Sequence, residues 1–287
     1  MIKMPYRVRR FNTTSGRYYG PDDLDLYNSV VNPLKPSWTN IASIESSPGL
    51  DEYFKNNGRW SNILGPTTAI IGTITHDFVD DLNHGLTVTT DDIIERLENY
   101  QDIRWRLVYH NKFQAVEVIK KQLTNYTLWY DDFQPDIVGS EIMLWHENVE
   151  FAGTCDLLLK TYSKQHDKEI YMVADLKTGN EMDKHFTQCM AYAILIEQIF
   201  KIKVSALGIL YCQGRNKGDI KPGKLKTKMI RNKSGSINNN ATLLSKKVTS
   251  LVDLFKSNIK YEQPKMKKRL QNKFQLKINK KEEKGNE

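Results

Sequence analysis

The chain has 287 residues, 39% of them hydrophobic, and a formal net charge of +8 at neutral pH. That length supplies one large domain or two small ones with a sizeable core. No run approaches the roughly 18 to 20 consecutive apolar residues of a membrane span, and the opening MIKMPYRVRRFNTTSG lacks the apolar stretch of a signal peptide. An intracellular protein with no membrane partner is expected. The charge is unevenly placed: Arg215 to Lys233 carries +7, Lys265 to Glu287 carries +6, and the rest −5. An acidic body with separate basic segments suits a protein that holds acidic metal ligands and also touches a polyanion. Cys155, Cys189 and Cys212 lack the short CxxC spacings of zinc and iron–sulfur sites, which predicts reduced thiols in or near the core.

Residues 1–62 are rich in Asn, Pro, Ser and Gly, with turn signals at Tyr19-Gly20-Pro21-Asp22 and Asn32-Pro33. They read as loops and short elements forming an N-terminal arm or lid. Thr89 and Thr90 stand where a helix cap would precede Asp91 and Asp92. Ile93, Ile94, Leu97, Val108, Phe113, Val116 and Ile119 then keep helical spacing to about Tyr130. The character changes at Pro135. Ile137 to Trp145, Val149 to Lys160 and Glu169 to Lys177 are three β-rich runs, the last two joined by the polar segment Tyr162 to Lys168, which predicts an antiparallel meander. A helix from about Asp183 to Phe200 and a strand from Val204 to Tyr211 complete the core, expected over residues 63–214. The fold class is α/β or α+β, with a central mixed sheet flanked by helices. Residues 215–262 read as a flexible basic loop followed by a short helix from Ala241 to Ile259, and 263–287 as a lysine-rich tail.

Asp156 interrupts an apolar run that ends Leu157-Leu158-Leu159, and Asp175 sits between Ala174 and Leu176. For Asp156, a carboxylate in such a setting needs a partner, because burying it unpaired costs several kcal/mol, and a metal is the obvious candidate. Side chains alternate along a strand, so Asp175 and Lys177 project to one side while Leu176 turns into the core. Two carboxylates brought together at strand ends form a hard, oxygen-rich site suited to Mg²⁺ or Mn²⁺. Such ions polarise phosphates and lower the pKa of bound water, and Lys177 beside them would orient that water. Gln188 and Tyr192, four apart on a helix, present an amide and a phenol on one face, a pair suited to a phosphate or a base.

Taken together, Gly72-Thr73-Ile74-Thr75-His76, Ser140-Glu141, Asp156, Asp175-Leu176-Lys177 and Gln188-Cys189-Met190-Ala191-Tyr192 resemble, in order, the motifs of the RecB-like branch of the PD-(D/E)XK nucleases. That branch takes in phage exonucleases, CRISPR-associated nucleases and the mitochondrial single-strand exonuclease. The resemblance implies a restriction-endonuclease-like core and a Mg²⁺- or Mn²⁺-dependent deoxyribonuclease, more exonuclease than endonuclease, in DNA replication, recombination or repair. It implies His76, Asp156, Asp175 and the Leu176 carbonyl as metal ligands, with Lys177 positioning water and Glu141 assisting or binding a second ion. Gln188 and Tyr192 would meet the substrate, DNA that is single-stranded or has free ends; by the charge of their segment rather than by the resemblance, Lys224, Lys226 and Lys228 are expected to border its path. The chain lacks the four cysteines of cluster-bearing relatives, and no Gly-x-x-x-x-Gly-Lys-Ser/Thr motor motif occurs. The residues leave open an RNA substrate, and a nucleic-acid-binding protein that keeps the fold without cutting.

Overall fold

Alternation of apolar and polar residues drives two antiparallel ladders, one small and N-terminal, one large and central. The computed structural model describes residues 1–45, 55–109, 111–182, 184–213 and 220–258. Strands β1 (Val8–Thr13) and β2 (Gly16–Pro21) form a hairpin, and β3 (Lys35–Pro36) adds to β2. Helix α1 (Leu24–Ser29) starts where the Asp23 carboxylate accepts the Leu26 N–H, and α2 (Trp38–Ala42) where the Ser37 hydroxyl accepts the Asn40 N–H. The short elements expected among the N-terminal loops include these three strands, which join in one small sheet. Trp38, 1% exposed, enters the main core with Ile41.

Helices α3 (Ser61–Asn83), α4 (Thr90–Glu98), α5 (Trp105–Val108) and α6 (Lys112–Phe133) follow. Pro66 lies inside α3 and cannot donate to the Asn62 carbonyl one turn back. Arg104 Nη1 approaches that carbonyl at 3.4 Å instead. Thr89 caps α4 in a reciprocal box with Asp92. Helix α6 ends at Gln134, whose left-handed φ of 49° turns the chain into the central sheet.

That sheet has five strands that neighbour one another in chain order, β4 (Asp136–Leu144), β5 (Gly153–Ser163), β6 (Lys168–Lys177), β7 (Val204–Tyr211) and β8 (Lys224–Met229). Strands β4, β5 and β6 form the expected meander. Helix α7 (Lys184–Phe200) crosses over to β7, parallel to β6 and buried along its whole length. Helices α3 to α6 cover one face around Ile74, Leu157 and Leu210. Helices α2, α7 and α8 (Asn239–Asn258) cover the other around Leu158, Val173 and Leu207. The three cysteines are free and buried. Among the described residues no helix is long and apolar enough to cross a membrane.

Part of the predicted flexible basic loop is instead a strand. β8 (Lys224–Met229) pairs antiparallel with β7 at the sheet edge. Leu225 and Met229 pack against the α3–α6 side, so the lysines between them fall on the other face. Lysine on an edge strand also discourages pairing with another chain. The lysine-rich tail and residues 214–219 lie outside the described residues.

Candidate active site

Three elements bring donor groups to the end of the central sheet. Helix α3 delivers His76, strand β4 Glu141 and strand β5 Asp156. Ser140 pairs with Leu157 and Ile142 with Cys155, so Glu141 stands across from Asp156. Glu141 has a φ of 45°, the left-handed region, inside a strand. His76 Nδ1 lies 3.5 Å from a Glu141 oxygen and 3.4 Å from Asp156 Oδ2. One ligand atom from each of the three falls within 4.8 Å of the others, a spacing that can hold a metal ion. The Leu176 N–H donates to Asp156 Oδ2 at 2.8 Å and fixes that carboxylate's orientation. Gly72, one helical turn before His76, lets α3 approach closely: a Cβ there would lie 3.1 Å from the Thr178 hydroxyl.

Strand β6 places a second group beside the first. Asp175 is fully buried, its Oδ2 2.6 Å from Lys177 Nζ, while its Oδ1 accepts the Gln188 amide at 2.8 Å. Asp175 Oδ2 nevertheless has no well-angled hydrogen-bond donor, so one buried lone-pair direction remains open. Gln188 also reaches the Tyr192 hydroxyl at 3.4 Å. Tyr192 is 3% exposed, and a Cβ on Gly153 would meet its ring at 2.6 Å. This glycine is what lets Tyr192 lie against the start of β5.

The electrostatics match the geometry. Burial raises the Asp175 carboxyl to about 6, opposed by Lys177 and reinforced by Asp156. Burial likewise raises Asp156, with His76 opposing. For His76, burial disfavours the imidazolium, yet Asp156 and Glu141 outweigh it and lift the ring to about 9. Lys177 is raised despite its burial because Asp175 and Asp156 hold the ammonium charged. Carboxylates kept above their ordinary range are short of positive charge, the deficit a divalent cation fills. The imidazole and carboxylate donors and the open Asp175 lone pair fit Mg²⁺ or Mn²⁺.

All the motif residues therefore meet at one sheet end, in two groups. Of Gln188 and Tyr192, expected to face the substrate, the partly exposed Gln188 donates its amide to Asp175, and the Tyr192 phenol is buried. Lys224 donates to Glu181 at 2.9 Å and Lys226 pairs with the same carboxylate, while the Lys228 ammonium sits 4.6 Å from the Phe186 ring centroid. Motif spacing gave no sign of Glu181, nor of His185, whose Nδ1 lies 3.0 Å from the Tyr211 hydroxyl. Tyr211 pairs with Lys177 in the sheet. A polar first turn on a helix that follows a site strand is the signal that could have marked His185.

A mixed sheet clad by helices thus gathers three carboxylates, an imidazole and a lysine at its strand ends, in an arrangement that could hold a metal ion. The model of the PD-(D/E)XK nuclease superfamily matches residues 56–280, and the chain belongs to that superfamily. Curated proteins give no match to the sequence.

Proposed function

We propose that the protein is a Mg²⁺- or Mn²⁺-dependent deoxyribonuclease of the RecB-like branch, an exonuclease acting on DNA that is single-stranded or has free ends. The observation that carries this reading is the convergence of His76, Glu141 and Asp156 within 4.8 Å, beside the buried Asp175 and its partner Lys177. His76, Asp156 and Asp175 would hold the ion with the Leu176 carbonyl, and the position of Glu141 supports it as a further ligand. A bound divalent cation supplies Lewis acidity toward the scissile phosphate and lowers the pKa of water. Lys177 holds its proton, orients the attacking water and offsets negative charge on the phosphate as it reacts. Gln188 keeps Asp175 in its rotamer, and Tyr192 braces Gln188 from below. Lys224, Lys226 and Lys228 would meet the DNA backbone at the sheet edge once phosphates compete with Glu181.

End-labelled single-stranded, double-stranded and circular DNA, and the matching RNA, are incubated with the full chain in Mg²⁺ or Mn²⁺. Linear DNA is expected to be degraded from its ends, EDTA to stop the reaction, and Asp156→Ala to slow it by about a thousandfold or more. Cleavage by Asp156→Ala at the wild-type rate, or cleavage of RNA alone, overturns the reading.

A further inference from the structure

The first twenty residues contain five cations, Lys3, Arg7, Arg9, Arg10 and Arg17, and no acidic residue. All five are exposed. The four arginines belong to the β1–β2 hairpin or its immediate entry, which precedes the span matched to the nuclease superfamily. In the hairpin ladder Arg10 stands opposite Tyr19 and Asn12 opposite Arg17. Directly opposed residues share a face, as do residues two apart, so Arg10, Arg17 and Tyr19 project from the same side. Val8 belongs to that side too, and it packs with Tyr19 and Trp145. The Tyr19 hydroxyl meets the Thr154 hydroxyl at 2.9 Å, two residues before Asp156 on β5. Further back, the Ile2 N–H donates to the Val138 carbonyl of β4, three residues before Glu141. The hairpin is thus fixed at the β4–β5 corner of the sheet, next to the metal-binding group.

Its cations are less committed than those at the opposite edge. Arg9 lies 3.7 Å from Asp22 and over Phe11, whereas Arg7, Arg10 and Arg17 form no side-chain ion pair with any described residue. On β8, by contrast, Lys224 and Lys226 are both engaged by Glu181. β4 and β8 are separated by four inter-strand spacings, roughly 19 Å, which a strand with a 3.4 Å rise per nucleotide spans in about six nucleotides.

We propose that the β1–β2 hairpin is a nucleic-acid-binding element of this chain, with Arg10 and Arg17 holding backbone phosphates of a strand that passes over Glu141 and Asp156. The inference rests on the nuclease reading above and adds to it a surface outside the superfamily core. The test is fluorescence anisotropy of a labelled twelve-nucleotide single strand across a salt series, with the full chain carrying Asp175→Asn so that nothing is cut. Adding Arg10→Ala and Arg17→Ala is expected to weaken binding about tenfold or more at 50 mM salt and flatten the log–log slope by about 1.4. Arg10→Lys with Arg17→Lys restores the slope, because a phosphate needs the charge and not the fork. An alanine pair that keeps both affinity and slope overturns the proposal. If the Asp175→Asn chain with its arginines intact binds no strand, the nuclease reading itself fails and the hairpin proposal falls with it.

Discussion

Around Asp156, donors from three elements face one another with only an imidazole among them to carry positive charge, whereas around Asp175 an ammonium and an amide already engage the carboxylate. Lys177 and His76 are exposed to a similar degree, whereas Asp175 is fully buried. In the function proposed above, the contrast separates two tasks of one cluster of acids. An open group can take up an ion from solvent and lose it again. A closed group holds a lysine at fixed distance and direction whether or not an ion is bound, which is the preorganisation that charge stabilisation requires.

The contrast breaks most sharply at Lys177. Lys177→Ala removes the group proposed to orient water and leaves a fully buried carboxylate without its cation. Breaking such a pair from one side costs about 3–5 kcal/mol, so urea denaturation in EDTA should show a loss of that order along with lost cleavage. Asp175→Asn added to the same variant should recover much of the stability and none of the activity. If Lys177→Ala unfolds at the wild-type urea concentration, Asp175 is not held as a charged partner and the closed half is not closed.

His76→Ala probes the open half and should act by degree. One of several donors is lost, so the metal concentration for half-maximal rate should rise about tenfold while the rate at saturating metal falls less. Mn²⁺, which accepts nitrogen donors more readily, should serve the wild type better than Mg²⁺. Titrating each ion against cleavage rate measures both. An unchanged metal requirement would put His76 outside the coordination sphere.

Part of this contrast was legible in the sequence, because Asp156 interrupts an apolar run and so announces a carboxylate that needs a partner, while strand alternation puts Asp175 and Lys177 on one side. The meander, α7 and β7 were legible for a related reason: their apolar periodicity is undiluted. Helix α3 was not, since Gly65, Pro66 and Gly72 with a series of threonines obscure the helical spacing of Ile70, Ile71, Ile74 and Phe78. In β8 the lysines hid the alternation with Leu225 and Met229, and composition spoke for a loop. Contacts distant along the chain left no local trace. Glu181 lies 43 residues from Lys224, and Tyr19 lies 135 from Thr154. The motifs list Glu141 among the acids but say nothing of its backbone.

That backbone sets stability against use at a single residue. A non-glycine in the left-handed region costs roughly 1–2 kcal/mol, and Glu141 bears this strain where its carboxylate turns toward His76 and Asp156. Glu141→Gly should therefore be more stable than Glu141→Ala by about 1 kcal/mol in thermal unfolding, while the two bind metal equally poorly. Equal stability of the pair would show that the position is unstrained. A library of variants sorted only for heat resistance would then drift toward glycine at 141 and accumulate sturdy, inert proteins, whereas one sorted for turnover would keep the acid and the strained turn beneath it.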